Sequence, residues 1–308
     1  MKDKLRNLAA SVRDRLLQFA KRQQVDFQLL LMRYGLERLL YRLSQSPYQK
    51  DFILKGALLF ALWSEEPHRP TKDLDLLGRG EKSPERMSAV FGEIITHPVE
   101  DDGLLFSQAT LHAERIKEDE EYEGVRVRCD AQLENARITM QIDVGFGDAV
   151  TPAPTTVTFP TLLAFPAPML LAYPMETVVA EKFQAMVKLG IANSRMKDYF
   201  DLWVLARRFA FDGPTLSCAV QATFSRRRTD LPSEPPIALS DIFTNDSNKQ
   251  RQWQAFIKKN KLQTEGADLN DVIAVLRNFL MPPAKALAEG SSFEMDWPAS
   301  GSWMPRAS

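Results

Sequence analysis

The spacing of apolar residues changes along the chain, and each change marks a different kind of element. Over residues 3–44, Leu29, Met32, Leu36, Leu39 and Leu43 recur at intervals of three and four, the stripe of a helix that packs one side on a core. Ser46-Pro47 ends this helix, because proline disfavours helical backbone in the residue before it. The apolar run DFILKGALLFALW follows, then the polar loop SEEPHRPTK and the segment DLDLLG. Apolar residues interleave the two aspartates of DLDLLG, which predicts a strand from Asp73 to Leu77 stopped by Gly78. Ser83 to Ile95 reads as a helix.

Between about 104 and 146 the period becomes two. Val125, Val127, Cys129 and Ala131 alternate with Arg126, Arg128 and Asp130, and Ile138, Met140, Ile142 and Val144 alternate with Thr139, Gln141 and Asp143. This predicts an antiparallel pair of strands with one face on the core. The proline-rich stretch 151–174 is expected to be an extended connection between lobes. Residues 175–189 and 194–210 are expected to be helices, and the tail from about 289 to be partly disordered.

At 308 residues the chain exceeds the commonest domain size of roughly 100–150, so two lobes are expected. A net charge of −1, from 39 basic and 40 acidic residues, argues against a protein that coats a polyanion wholesale but leaves room for a local basic groove. Cys129 and Cys218 are too few for a disulfide framework or a cysteine zinc site, and both are expected as small core residues in a reducing compartment. No segment approaches the ~20 apolar residues of a membrane span, and the start lacks an apolar leader, so a cytoplasmic protein is expected. His68, His97 and His112 are scattered, and no phosphate-binding G-x-x-x-x-G-K-[ST] occurs.

Asp73 and Asp75 are two residues apart, so on a strand both point to one face. Adjacent ionised carboxylates repel unless cations sit among them, and oxygen donors suit magnesium or manganese; an exposed D-x-D without a ligand is the plainer alternative. Asp143 is favoured as the third carboxylate because it lies in the most apolar strand, where a lone charge is costly, with Asp130 and Asp148 as competing choices. Three carboxylates can hold two ions that stabilise an in-line displacement. Gly56, after Lys55, permits backbone to approach a phosphate closely. Lys182 falls inside the apolar arc of Met175, Val178, Val179, Phe183, Met186 and Leu189, and either snorkels or aims at triphosphate oxygens. Asp198 shares a face with Leu202 and Leu205 and needs a partner, for which Arg195, Lys197 and Lys182 are available. Asn193-Ser194 is expected to cap this second helix.

Four ordered blocks from about Phe52 to Leu205, KGALLFALW, HRPTKDLDLLG, QIDVGFGD and AEKFQAMVKLG–NSRMKDYFDLWVL, resemble the AbiEii/AbiGii toxin family of the DNA polymerase β-like nucleotidyltransferase superfamily. The resemblance implies an α+β fold, with a nucleotidyltransferase core of mixed and antiparallel sheet over 1–160, a mainly helical lobe over 161–308 and a cleft between them. The family's first motif falls on Gly56, Ala57, Asp73 and Asp75, its lysine on Lys182 and its final aspartate on Asp198. Ala57 departs from relatives that carry serine or glycine there, and the loop Ser64–Pro70 is longer than in short members. The implied function is a toxin that moves nucleotides from a nucleoside triphosphate to an RNA acceptor, the 3′ end of transfer RNA, with two magnesium or manganese ions and a winged-helix antitoxin as partner. Lys55, Gly56, Ala57, Arg69, Thr71 and Lys182 are assigned to the nucleotide, and Lys72, Arg195 and Lys197 to the acceptor. A small-molecule nucleotidyltransferase, or a catalytically idle binding module on the same fold, is the alternative.

Overall fold

The computed structural model describes residues 2–64, 68–119, 122–299 and 301–306. It divides into two compact units, Met1–Asp148 with Thr155–Tyr173, and Ala149–Pro154 with Pro174–Ser308. The N-terminal segment folds into α1 (Lys2–Gln23) and α2 (Phe27–Gln45). The one helix expected over 3–44 is thus broken: Gln24 takes a φ of 54°, and Asp26 caps α2 by accepting from the Leu29 amide. Ser46 ends α2 where proline was expected to end it.

The first unit is built on a mixed seven-stranded sheet in the order β3-β4-β5-β2-β1-β7-β6. Its strands are β1 (Phe52–Lys55), β2 (Asp73–Gly78), β3 (Leu104–Asp119), β4 (Tyr122–Leu133), β5 (Ala136–Phe146), β6 (Thr155–Thr158) and β7 (Met169–Ala172), with the short α3 (Phe60–Trp63) and α4 (Pro84–Thr96) between them. β2 runs parallel to β5 and β1 parallel to β7, while the remaining neighbours are antiparallel. The period-two pattern has the expected consequence. Leu74, Leu76, Val127, Met140, Ile142 and Val144 are fully buried on one face, against which α1, α2 and α4 pack. Each buried leucine of α2 contributes about 2 kcal/mol of transfer free energy. A Cβ on Gly35 of α2 would lie 3.0 Å from Ile138 Cγ2, so this helix rides close on β5 because residue 35 is glycine.

The proline-rich stretch is more structured than a connection. β6 and β7 lie within it, both free of proline, and the sheet therefore extends past residue 160, where a lobe boundary was expected. A buried charge cluster ties this stretch to α2. Arg38 and Arg42 both donate to Asp102, Arg38 Nη1 donates to the Pro166 carbonyl at 2.8 Å, and the Leu162 amide donates to Glu37 Oε2 at 2.7 Å.

The second unit is mainly helical: α5 (Met175–Leu189), α6 (Met196–Arg208), α7 (Gly213–Arg226), α8 (Asp241–Asn245), α9 (Ser247–Asn260) and α10 (Leu269–Ala288). The tail expected to be partly disordered instead supplies β9 (Met295–Trp297) and β10 (Met304–Pro305), which join β8 (Phe211–Asp212) in a small antiparallel sheet. Two indoles anchor it, Trp297 Nε1 donating to the Ala206 carbonyl at 2.7 Å and Trp303 Nε1 to the Phe279 carbonyl at 3.0 Å. Cys129 is buried as expected, whereas Cys218 is exposed on α7. Among the described residues no helix is long and apolar enough to cross a membrane.

Glu37 generates a pH prediction. Its Oε1 accepts no hydrogen bond, and burial pushes its carboxyl up to about 7 against the opposing pull of the Leu162 amide and Arg38. The unfolded carboxyl titrates near 4.5, so the folded state holds the proton more tightly. The resulting stabilisation is full below that value and declines as pH rises towards 7, by up to about 3 kcal/mol. Glu37→Gln removes this slope. Urea unfolding at pH 5 and pH 8 is expected to show the wild type losing stability relative to Glu37→Gln, and equal pH dependence would contradict the assignment.

Candidate active site

Strand register assembles the carboxylates. In β2 and β5 the Cα partners are Asp73 with Gln141 and Asp75 with Asp143, so Asp75 and Asp143 are immediate neighbours on parallel strands roughly 4.8 Å apart. On the other side of β2, Asp75 is paired with Lys55 of β1, and on the other side of β5, Asp143 is paired with Arg126 of β4. A single row across four strands therefore reads Lys55, Asp75, Asp143, Arg126, two carboxylates flanked by two cations. Asp73 extends it into the next row, beside Gln141 and Arg128. This polar face is opposite the one that α1, α2 and α4 cover.

Gly56 sets the edge of the row. It follows Lys55 at the end of β1 with a φ of +76°, and the chain then turns through a short 3-10 segment, Gly56–Leu59. A Cβ at residue 56 would collide with the Asp75 carboxylate, which lies in the space where that atom would be. Glycine is thus required twice, for its backbone conformation and for the carboxylate beside it. Ala57 and Gly56 are both half-buried at this turn.

The flanking cations are engaged. Arg126 grips Asp143 with a two-pronged fork, Nε to Oδ1 and Nη2 to Oδ2, both at 2.8 Å, and Gln141 Nε2 approaches Oδ2 at 3.4 Å. The hydrogen bond to Asp143 raises the Arg126 pKa, assisted by the charges of Asp143, Asp73 and Glu114 and opposed by burial. Lys55 Nζ donates to Asp148 Oδ2 at 2.9 Å and lies 5.7 Å from the centre of the Tyr173 ring. The two competing aspartates are thereby placed: Asp148 pairs with Lys55, and Asp130 sits two rows away, accepting from Arg137 Nε and Thr139 Oγ1. Among the described residues no three His, Cys, Asp or Glu side chains converge as a ready-made metal cage.

In the loop before β2, Thr71 Oγ1 donates to the Asp73 carbonyl at 3.3 Å, Lys72 is exposed, and Arg69 is half-exposed. His68 stacks on Phe60 with ring centres 3.6 Å apart. Residues 65–67 of the expected loop elaboration lie outside the described residues.

The second unit carries its own cluster. Lys182 of α5 donates to Asp198 Oδ1 at 2.5 Å and pairs with Asp201 Oδ2 at 2.9 Å, both carboxylates on α6 and both buried. Of the partners open to Asp198 on sequence grounds, the structure selects Lys182, while Arg195 and Lys197 are exposed. Asn193 does not cap α6. Arg195 occupies the cap position without a side-chain bond, and Asn193 Oδ1 accepts from the Arg195 amide at 2.9 Å. Sequence reasoning missed Arg126 and Asp201. The signal for Asp201 was its place three residues after Asp198, on the same helical face.

The Gly56–Asp75 contact is testable by a double-mutant cycle. Gly56→Ala is expected to destabilise the wild type by more than the ~1–2 kcal/mol of a left-handed alanine. In an Asp75→Gly background only that backbone term remains. Urea unfolding of the four proteins checks this, and purely additive effects would contradict the contact.

No curated protein matches the chain. Among solved structures, JHP933 from Helicobacter pylori is similar over 82% of this chain and 89% of its own, with a TM-score of 0.45 and 15% identity. A second H. pylori protein, proposed to be a nucleotidyltransferase, is similar over 86% of this chain and 97% of its own, with a TM-score of 0.47 and 14% identity. The model of the nucleotidyl transferase AbiEii toxin of type IV toxin–antitoxin systems matches residues 38–275, a span that holds the whole carboxylate row and the Lys182 cluster. The chain belongs to this family of nucleotidyl transferase toxins.

Proposed function

We propose that the protein transfers a nucleotidyl group from a nucleoside triphosphate to an RNA acceptor, the 3′ end of transfer RNA, using magnesium or manganese ions held by Asp73, Asp75 and Asp143. The observation that carries this reading is the register pairing of Asp75 with Asp143, beside a turn where Gly56 leaves no side chain in the way. The donor set fits such an ion: it consists of carboxylate oxygens, the ligands hard cations prefer, and two of the carboxylates are adjacent on rigid strands. When bound, a divalent cation supplies charge neutralisation at the phosphoryl group and a lowered pKa for an attacking hydroxyl.

The chain's own residues do the positioning. The backbone at Gly56 and Ala57 receives phosphate oxygens through N–H groups alone, since Ala57 brings no hydroxyl, and Lys55 adds a positive charge next to Asp75. Arg69 and Thr71 serve the nucleotide, and exposed Lys72 serves the acceptor backbone. In the second unit, Asp198 and Asp201 hold the Lys182 ammonium in one position. The family's lysine falls on Lys182, whose ammonium serves the triphosphate oxygens, and Arg195 and Lys197, basic residues beside the motif that holds Asp198, serve the acceptor phosphates. As a toxin of the type IV class the protein would be paired with an antitoxin, a winged-helix protein in this reading.

The test is transfer of radiolabelled nucleotide to total RNA with and without magnesium. Wild type is expected to label RNA of transfer-RNA size only with the ion present. Asp75→Asn and Asp143→Asn are expected to lose about a hundredfold or more of the rate, with Asp75→Asn melting like the wild type. Magnesium-independent labelling, or a near-normal rate in either variant, would overturn the reading.

A further inference from the structure

The ion pair between Arg126 and Asp143 does more than join two strands. Its fork engages both carboxylate oxygens, and the side chains are 28% and 14% exposed, so the pair is largely desolvated yet reachable from solvent. Arg126 also lies in the field of Asp73 and Glu114, and a guanidinium is cationic at any physiological pH. Asp75 and Asp143, neighbours on adjacent strands, repel each other, and Arg126 offsets that repulsion from one end of the row. A guanidinium fork takes in-plane lone pairs on both oxygens and brings a full positive charge to Asp143. Each of these lowers the affinity of the same carboxylate for a second cation.

We propose that Arg126 is a built-in counter-cation for Asp143, holding the carboxylate until a divalent ion displaces the fork, so that this ion pair sets the affinity of the site for its metal. Arg126 is a positioning residue, because it touches Asp143 and not the reacting atoms. The proposal rests on the reading of Asp73, Asp75 and Asp143 as cation ligands, and its test separates the two.

The experiment measures Mn2+ binding to the full chain by electron paramagnetic resonance of the free ion, with melting curves taken alongside. Arg126→Gln is expected to bind Mn2+ about tenfold more tightly than wild type, the scale of losing one charge-assisted pair. Without metal it should melt below wild type, and saturating Mn2+ should close that gap. Should Arg126→Gln fail to fold, Arg126→Lys keeps the charge but not the fork, and a severalfold gain in affinity is expected. Unchanged or weaker Mn2+ binding in the variant that folds, while wild type binds and Asp75→Asn does not, overturns the counter-cation role and leaves the cation site standing. Absence of Mn2+ binding to wild type, or binding unaffected by Asp75→Asn, overturns both.

Discussion

The Asp75 carboxylate occupies the space beside Gly56 where any other residue would place its Cβ, and the rest of the candidate site is arranged around that contact. It requires β1 to end at Lys55, the chain to turn at once with a positive φ, and β2 to present its second aspartate opposite that turn. β2 then lies parallel to β5, which brings Asp143 alongside Asp75 without any loop to position it. Residues on strands at the centre of a sheet have little freedom, because α1, α2 and α4 hold the opposite apolar face in place. The geometry of the candidate site thus rests on packing on the far side of the sheet.

Electrostatics follows from the same register. A row reading cation, carboxylate, carboxylate, cation is close to neutral, which offsets the repulsion of two carboxylates side by side. The second unit solves the same problem differently, with one ammonium between two buried carboxylates on a helix. Both arrangements keep charged groups fixed and hydrogen-bonded, the condition under which electrostatic stabilisation of a transition state needs little reorganisation.

Much of this was legible in the sequence. The alternation around Asp73, Asp75 and Asp143 fixes which face each aspartate takes, and the apolar strand containing Asp143 identifies it as a central one. Alternation predicts β4 and β5 as an antiparallel pair but not their register, so it does not show that Arg126 stands directly opposite Asp143. Asp201 lies three residues after Asp198, and only the packing of α5 on α6 shows that Lys182 reaches both carboxylates. The break before α2 had a local signal in Asp26, a cap residue three positions before the Leu29 amide, but the leucine stripe running beyond it masked the stop. β9 and β10 are too short to carry a period, and their stability comes from Trp297 and Trp303 reaching carbonyls far away in sequence.

The central claim is that Asp75 and Asp143 together seat a divalent cation beside a nucleotide whose phosphates lie over Gly56. Anomalous diffraction at the manganese edge, from crystals grown with Mn2+ and a non-hydrolysable nucleoside triphosphate, tests it most directly. The expected result is a manganese peak within ligand distance of both carboxylates, with the triphosphate in contact with the backbone of Gly56 and Ala57. Bound nucleotide with manganese elsewhere, or with Asp143 and Asp75 both free of metal, would contradict the account.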